Sequence, residues 1–389
     1  MTAALVVAAL SLVVWLYLIL VHGGFWLGAE NDDVSLTEAA PAQWPRVYAV
    51  IPARNEADML PLSLPTLLGQ DYPGEFAIFL VDDQSEDGTA SIAQKLALNS
   101  ARALTVLPGA ERPQGWTGKV WAQHQGIVQA ANGAAPPDFF LLTDADIGYA
   151  PNALTQLVLR SQINETVLTS LMAKLRCESL AERALIPAFI FFFQMLYPFR
   201  WVNRATCPIA GAAGGCMLVE RSALQRAGGI QAIRGALIDD CALAKIMKAQ
   251  GPIWLGLTER VHSLRPYPKV NDIRHMVSRS AYAQLRYSPL LLAGTIAGLA
   301  LTYLAAPVLA IASRYPANLI AALAWALMAL SFQPTLRRYG RSPLWGLALP
   351  LVALVYLVFT VDSAYQHGCG RGGMWKGRAQ AAQGSKTRG

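Results

Sequence analysis

Four stretches of this chain, at about residues 3–21, 289–312, 317–335 and 343–361, contain no Asp, Glu, Lys or Arg. As helices rising about 1.5 Å per residue, each is long enough to cross or nearly cross about 30 Å of hydrocarbon, where every backbone polar group must be satisfied within the protein. A wholly aqueous fold is thereby excluded, and the chain divides into an N-terminal membrane anchor (1–28), a more polar middle (45–286), a C-terminal transmembrane region (289–362) and a tail (363–389). No basic residue precedes the first stretch and no small-residue cleavage site clearly follows Val21, so it reads as a retained anchor and not as a signal peptide.

The formal net charge of +7 would suit a nucleic-acid binder if it were concentrated in the middle. It is not. From residue 289 onward nine basic residues face a single acid, Asp362, so this part carries +8 and everything before it −1. Charge placed this way belongs to membrane flanks, where it sets orientation or meets anionic lipid, and a nucleic-acid partner is not expected. The five cysteines are odd in number and form no C-x-x-C pair, which disfavours a disulfide framework and a zinc site and suits a reducing, cytosolic middle domain.

Short apolar runs at 46–52, 76–82, 103–107, 139–143 and 166–173 alternate with helical patterns at 59–69, 87–99, 118–131 and 151–163. This predicts an α/β fold, a doubly wound sheet, and such sheets bind ligands at the carboxyl ends of their strands. The polar clusters fall at those ends: Asn55 and Glu56 after the first run, Asp82 and Asp83 after the second, Asp144 and Asp146 after the fourth. Crowded carboxylates are unfavourable unless a cation compensates them, so their convergence points to ligand chemistry and not to stability.

In Thr143-Asp144-Ala145-Asp146, two aspartates one residue apart at a strand end can turn their oxygens toward one hard divalent ion, able to bridge the two phosphates of a nucleotide diphosphate. Alone the pattern is weak. The run Asp82-Asp83-Gln84-Ser85-Glu86-Asp87-Gly88-Thr89 also suits a helix start capped by Ser85 or Asp87. Together with Pro52-Ala53-Arg54-Asn55-Glu56, these motifs in this order resemble the family 2 glycosyltransferases with their GT-A fold, here joined to transmembrane helices.

The resemblance implies a membrane-bound, metal-dependent, inverting hexosyltransferase that uses a nucleotide-sugar donor and Mg2+ or Mn2+. It assigns Asp82 and Asp83 to the base and ribose of the donor, with Pro52 and Glu56 beside the ribose, and Asp144 and Asp146 to the metal and diphosphate. Lys119, in Gly115-Trp116-Thr117-Gly118-Lys119-Val120-Trp121-Ala122, would reach the diphosphate from the side opposite the metal. That string resembles a narrower branch acting on isoprenoid or sphingoid lipids, including the ceramide and carotenoid glycosyltransferases. Gly214, within Gly211 to Arg221, would let the backbone approach the sugar, although such glycines also suit a tight bend. Ile238-Asp239-Asp240 stands where the family usually has Glu-Asp, making Asp240 the expected general base and Asp239 the alternative. His262 is a candidate to complete the metal shell, and Arg286-Tyr287 corresponds to a degraded acceptor and phosphate motif.

Over the whole chain the pattern is similar to the bacterial glycosyltransferases associated with hopanoid biosynthesis. The expected acceptor is accordingly a lipid, a hopanoid by association, and the expected location the bacterial inner membrane with the catalytic domain cytoplasmic. A polysaccharide synthase and a catalytically silent scaffold of a lipid-synthesis complex are the alternatives. The aromatic segment 186–201, with its two prolines, is too interrupted for a simple span and reads as an interfacial element, with core packing under the active site as the alternative. Three spans after a cytoplasmic domain would put the basic tail outside, against the positive-inside tendency.

Overall fold

The computed structural model describes residues 2–36, 41–98, 100–133, 135–375 and 378–379. The tail bases Lys376, Lys386 and Arg388 lie outside the described residues. The chain forms two compact units, one of residues 30–176, 201–266 and the segment from Gly373, the other of residues 1–29, 177–200 and 267–372.

The first unit is built on one mixed eight-stranded sheet with strands β1 Val47–Ala53, β2 Phe76–Asp82, β3 Ala103–Pro108, β4 Phe139–Thr143, β5 Ile147–Tyr149, β6 Leu168–Leu175, β7 Cys216–Glu220 and β8 Ile253–Ser263. Their spatial order is β3-β2-β1-β4-β7-β6-β8-β5. β1 is buried along its whole length, as a strand covered on both faces must be, and it pairs in parallel with β2 and β4. The registers Ala53↔Asp82 and Val50↔Leu142 bring the three strands to one common edge. Beyond β4 the simple parallel alternation stops. β7 runs antiparallel between β4 and β6, so the residues that precede β7 reach the edge where β1, β2 and β4 end. β8 is parallel to β6 and, through β7, to β4, so it too finishes there.

The helices Leu60–Leu68, Thr89–Ala97, Gly118–Ala131 and Ala153–Ile163 follow their strands as the periodicity predicts. Gly126 lies inside the third of these, where glycine costs about 1 kcal/mol relative to alanine. The structure gives the reason: an added Cβ would sit 2.5 Å from Val50 Cγ1 and 3.1 Å from Val81 Cγ2, so the helix rests directly on the sheet.

The second unit holds apolar helices. The first runs Ala3–Leu20; its fully buried Trp15 meets Tyr303 edge to face at 5.5 Å and donates from Nε1 to the Thr302 carbonyl. Five helices among the described residues are long and apolar enough to cross a membrane: Ala3–Leu20, Leu180–Val202, Pro289–Ala312, Ala317–Arg338 and Pro343–Gly368. The second of them contains most of the segment 186–201 that the sequence presents as too interrupted for a simple span. Helix Leu180–Leu196 continues through Pro187 because it starts well before the aromatic run, with Ser179 and Glu182 closing a reciprocal capping box; Pro198 then falls beyond its end.

Candidate active site

Backbone contacts fix the loops that carry the acidic motifs. The Ala145 carbonyl accepts from Ser63 Oγ at 2.5 Å, the Asp146 carbonyl accepts from the Leu264 N–H at 2.9 Å, and Thr143 Oγ1 donates to the Gly215 carbonyl at 2.8 Å. The ends of β1 and β2 are laced together in the same way. Ser85 Oγ accepts from the Asn55 N–H, Asn55 Oδ1 from the Glu86 N–H, and Thr89 Oγ1 from the Glu56 N–H. Asn55 and Gln84 have φ of 50° and 55°, strained values for side-chain-bearing residues that persist only where surrounding contacts over-determine them. Gly88 is the residue before helix Thr89–Ala97, and no side chain caps it. Asp87 instead accepts from the Thr89 N–H and hydroxyl and from the Ala57 N–H. Burial pushes the Asp87 carboxyl up, but these bonds outweigh it and hold the group below its ordinary range.

Two ionic groups form on this scaffold. In the first, Lys119 Nζ stands 2.8 Å from Asp144 Oδ1 and 3.3 Å from Asp239 Oδ2. Asp240 closes the group, its Oδ2 accepting from the Gly214 N–H at 3.0 Å and its Oδ1 from the Cys241 N–H at 2.7 Å. Gly214 is required for space: a Cβ there would lie 3.1 Å from Lys119 Nζ and 3.3 Å from Asp240 Oδ2. Burial pushes the Asp240 carboxyl up to about 6, the Asp239 charge adds to that, and Lys119 opposes it. Asp144 is likewise raised by burial against the pull of Lys119, although 35% of its side chain still reaches solvent. Burial disfavours the Lys119 ammonium, yet Asp144 and then Asp239 overcome that and hold it protonated.

In the second group Arg265 Nε donates to Asp146 Oδ2 at 2.7 Å while its Nη2 contacts Glu56 Oε2. Burial would weaken the guanidinium's charge; Asp146 and then Glu56 more than restore it. Five carboxylates thus meet two cations, leaving a surplus of three negative charges at one sheet edge.

Pro52 sits in β1 opposite Val81, and Asp82 and Asp83 stand at the end of β2, with Asp82 Oδ1 accepting from the Ser85 N–H and Asp83 fully buried. His262 does not join the aspartates. On β8 its neighbours Val261 and Ser263 are buried, alternation turns it to the other face, and its Nε2 lies 3.0 Å from the Glu259 carbonyl. Among the described residues no three His, Cys, Asp or Glu side chains gather as a metal-holding group. Asp144 and Asp146 offer a cation hard carboxylate oxygens, each of them paired here with a side-chain cation, and the surplus of negative charge around them is compatible with a divalent ion. Arg286 and Tyr287 lie in the helical unit with φ of 51° and 55°, where Tyr287 stacks on His367 at 4.3 Å. Arg265 was missed by the sequence reading. The rule that found the acidic clusters also covers it, since it stands just past the carboxyl end of β8.

Residues 48–228, somewhat under half of the chain, match the family described as Glycosyl transferase family 2. No curated protein matches the chain significantly. Among solved structures, the mannosyltransferase PcManGT from Pyrobaculum calidifontis, in complex with GDP-Man and Mn2+, aligns with a TM-score of 0.55 at 20% identity, covering 93% of this chain and 99% of its own. TarS 1-349 of S. aureus, in complex with UDP-GlcNAc, aligns at 0.38 and 14% identity over 87% of this chain and 97% of its own. Mannosyl-3-phosphoglycerate synthase from Rubrobacter xylanophilus aligns at 0.38 and 20% identity, covering 62% of this chain and 74% of its own. The fold is GT-A, a mixed α/β sheet, and the family match covers residues 48–228 within it.

Proposed function

We propose that this chain, whose residues 48–228 form a family 2 glycosyltransferase domain, transfers a sugar from a nucleoside-diphosphate donor to a lipid hydroxyl at the inner face of a bacterial membrane, with inversion at the anomeric carbon. The observation that carries the reading is the meeting of Lys119, Asp144, Asp239 and Asp240 at the edge where Asp82, Asp83 and Glu56 also stand. Both oxygens of Asp240 are held by backbone N–H groups, so its carboxylate is oriented before an acceptor arrives. With its proton affinity raised to about 6, it remains ionised at neutral pH and is a stronger base than an ordinary aspartate. It takes the acceptor's hydroxyl proton. Asp239, paired with Lys119, is the alternative base.

Asp144 and Asp146 would hold Mg2+ or Mn2+, which when bound supplies positive charge to the departing diphosphate. Lys119 adds its own charge from the first group, and Asp82, Asp83, Glu56 and Pro52 line the place of the nucleoside. The five long apolar helices support a membrane setting and with it a lipid acceptor; the choice of a hopanoid rests on the sequence resemblance alone. The direct test offers purified full-length protein in detergent a panel of radiolabelled nucleotide sugars with hopanoid, ceramide and carotenoid acceptors, Mg2+ or Mn2+, and an Asp146→Ala control. Metal-dependent transfer that the control loses is expected. A long polymer product would favour a polysaccharide synthase, and silence with every donor a scaffold.

The sheet also constrains the topology. β6 and β7 pair at Leu168↔Val219, so with the sheet on one side of the membrane the chain leaving Leu175 has to be back on that side by Cys216, which favours a helix Leu180–Leu196 that lies along the membrane over one that crosses it. This agrees with an interfacial reading of that segment. Similarly, the chain leaves the sheet unit after Pro266 and rejoins it at Gly373, where an added Cβ would be 3.4 Å from Leu237 Cδ1. On this reading the number of crossings between them is even, so either one or all three of the intervening apolar segments enter the bilayer without crossing it. The basic tail then lies on the cytoplasmic side, as the positive-inside tendency requires. A membrane-impermeant maleimide should label the exposed Cys369 in inverted vesicles and not in intact spheroplasts, in a variant lacking the other four cysteines. Labelling from the outer face would overturn this topology.

A further inference from the structure

Asp146 already has a cationic partner. Its Oδ2 accepts from Arg265 Nε at 2.7 Å, and the same guanidinium reaches Glu56. Arg265 is no wandering surface side chain: 24% of it is exposed, against 15% of Asp146 and 9% of Glu56. The ladder pair Ile147↔Ser263 and the bond from the Leu264 N–H to the Asp146 carbonyl set its backbone beside the aspartate loop. A divalent ion taken up by Asp144 and Asp146 would therefore meet a fixed positive charge on each of its two ligands, Lys119 on Asp144 and Arg265 on Asp146. Two cations drawn to one carboxylate repel each other, and at short range in a partly buried site that repulsion is large compared with thermal energy.

We infer that Arg265 is a built-in counter-ion that competes with the divalent cation for Asp146, holding the metal-side Asp146 and the nucleotide-side Glu56 together when no ion is bound and yielding Asp146 when one binds. Arg265 thus lowers the metal affinity of the free protein. The inference rests on the glycosyltransferase reading, because it takes Asp144 and Asp146 as the metal-binding pair.

The test measures Mn2+ binding to the purified full chain by the electron paramagnetic resonance signal of the free ion, with no donor present. Arg265→Gln removes the charge and keeps polar contact, and should tighten Mn2+ binding about tenfold by leaving Asp146 unpaired until the metal arrives. Arg265→Lys keeps a cation that cannot clamp two carboxylates at once, so it should give a smaller gain; it carries the test if the glutamine variant does not fold. Binding seen in Arg265→Gln but undetectable in the native protein also supports competition. Equal or weaker Mn2+ binding in every folded variant overturns the inference while leaving the function intact, and would make Arg265 a residue that positions Asp146 for the metal. If neither native protein nor variants bind Mn2+, and the native protein turns over no nucleotide sugar, both readings fall.

Discussion

Asp240→Asn should cut transfer by about 1000-fold, the middle of the range for loss of a positioned general base, without costing the protein stability at neutral pH. The two halves of this expectation come from one fact. The Asp240 carboxyl is raised to about 6 by burial and by the Asp239 charge, above its value in an unfolded chain. A carboxyl raised on folding contributes most below its unfolded value and loses that contribution as pH climbs through the folded value. At pH 7.5 the ionised side chain is therefore a burden on the fold; the neutral amide removes that burden, while its one carbonyl oxygen can accept from only one of the Gly214 and Cys241 N–H groups, so the two effects oppose and the melting temperature should stay close to native. Near pH 4, where the native carboxyl gains its proton, only the lost hydrogen bond remains and the variant should melt lower. For native protein the same group predicts an acid limb in kcat/KM below about pH 6 in the free enzyme, displaced to lower pH when a divalent cation shares the site. Asp239→Asn is the comparison. If it loses the acid limb and Asp240→Asn keeps it, the roles are reversed.

How much of this was readable from the chain depended on range. The seven buried residues of β1 and the apolar run of β4 announce themselves, because a strand covered on both faces has to be apolar throughout. Glu56, Asp82, Asp83, Asp144 and Asp146 follow from one further rule, that open α/β sheets bind at strand ends, whereas Pro52 comes from the family resemblance. Strand partners were not readable. Nothing in Cys216–Glu220 says that it inserts antiparallel between β4 and β6, since any apolar strand would satisfy its neighbours on side-chain grounds alone. That insertion is what carries Gly214 to Asp240. Nor could side-chain pairing be read: Lys119 and Asp239 are far apart in sequence and meet only because a helix start and a sheet edge coincide. His262 looked suitable as a lone histidine near a strand end, and the alternation of β8 turns it the other way. Residues 186–201 read as too interrupted for a simple span because proline breaks helices, whereas the Ser179–Glu182 capping box starts the helix at Leu180, seven residues before Pro187.

Lys119 carries the other large effect, because the structure places its ammonium between Asp144 and Asp239. Lys119→Met should lower transfer by about 100-fold or more, the scale of losing one charged group aimed at a leaving diphosphate. A plain loss of rate would not separate that role from a structural one, so two further readouts matter. Removing a buried cation leaves Asp144, Asp239 and Asp240 to repel one another; with part of Asp144 open to solvent, the expected destabilisation is on the order of 2 kcal/mol, recovered in part by Mg2+ or Mn2+. Lys119 also holds the Asp240 carboxyl down, so without it Asp240 should titrate above about 6 and the acid limb of any remaining activity should move toward neutral pH. Lys119→Arg keeps the charge and should keep the limb near its native place, at lower activity, because a planar fork cannot take the position of a compact ammonium 3.1 Å from where a Gly214 Cβ would be. A methionine variant with native melting temperature and an unmoved acid limb would mean that Lys119 neither neutralises the aspartates nor tunes the base, and the charge for the diphosphate would then have to come from the metal and Arg265 alone.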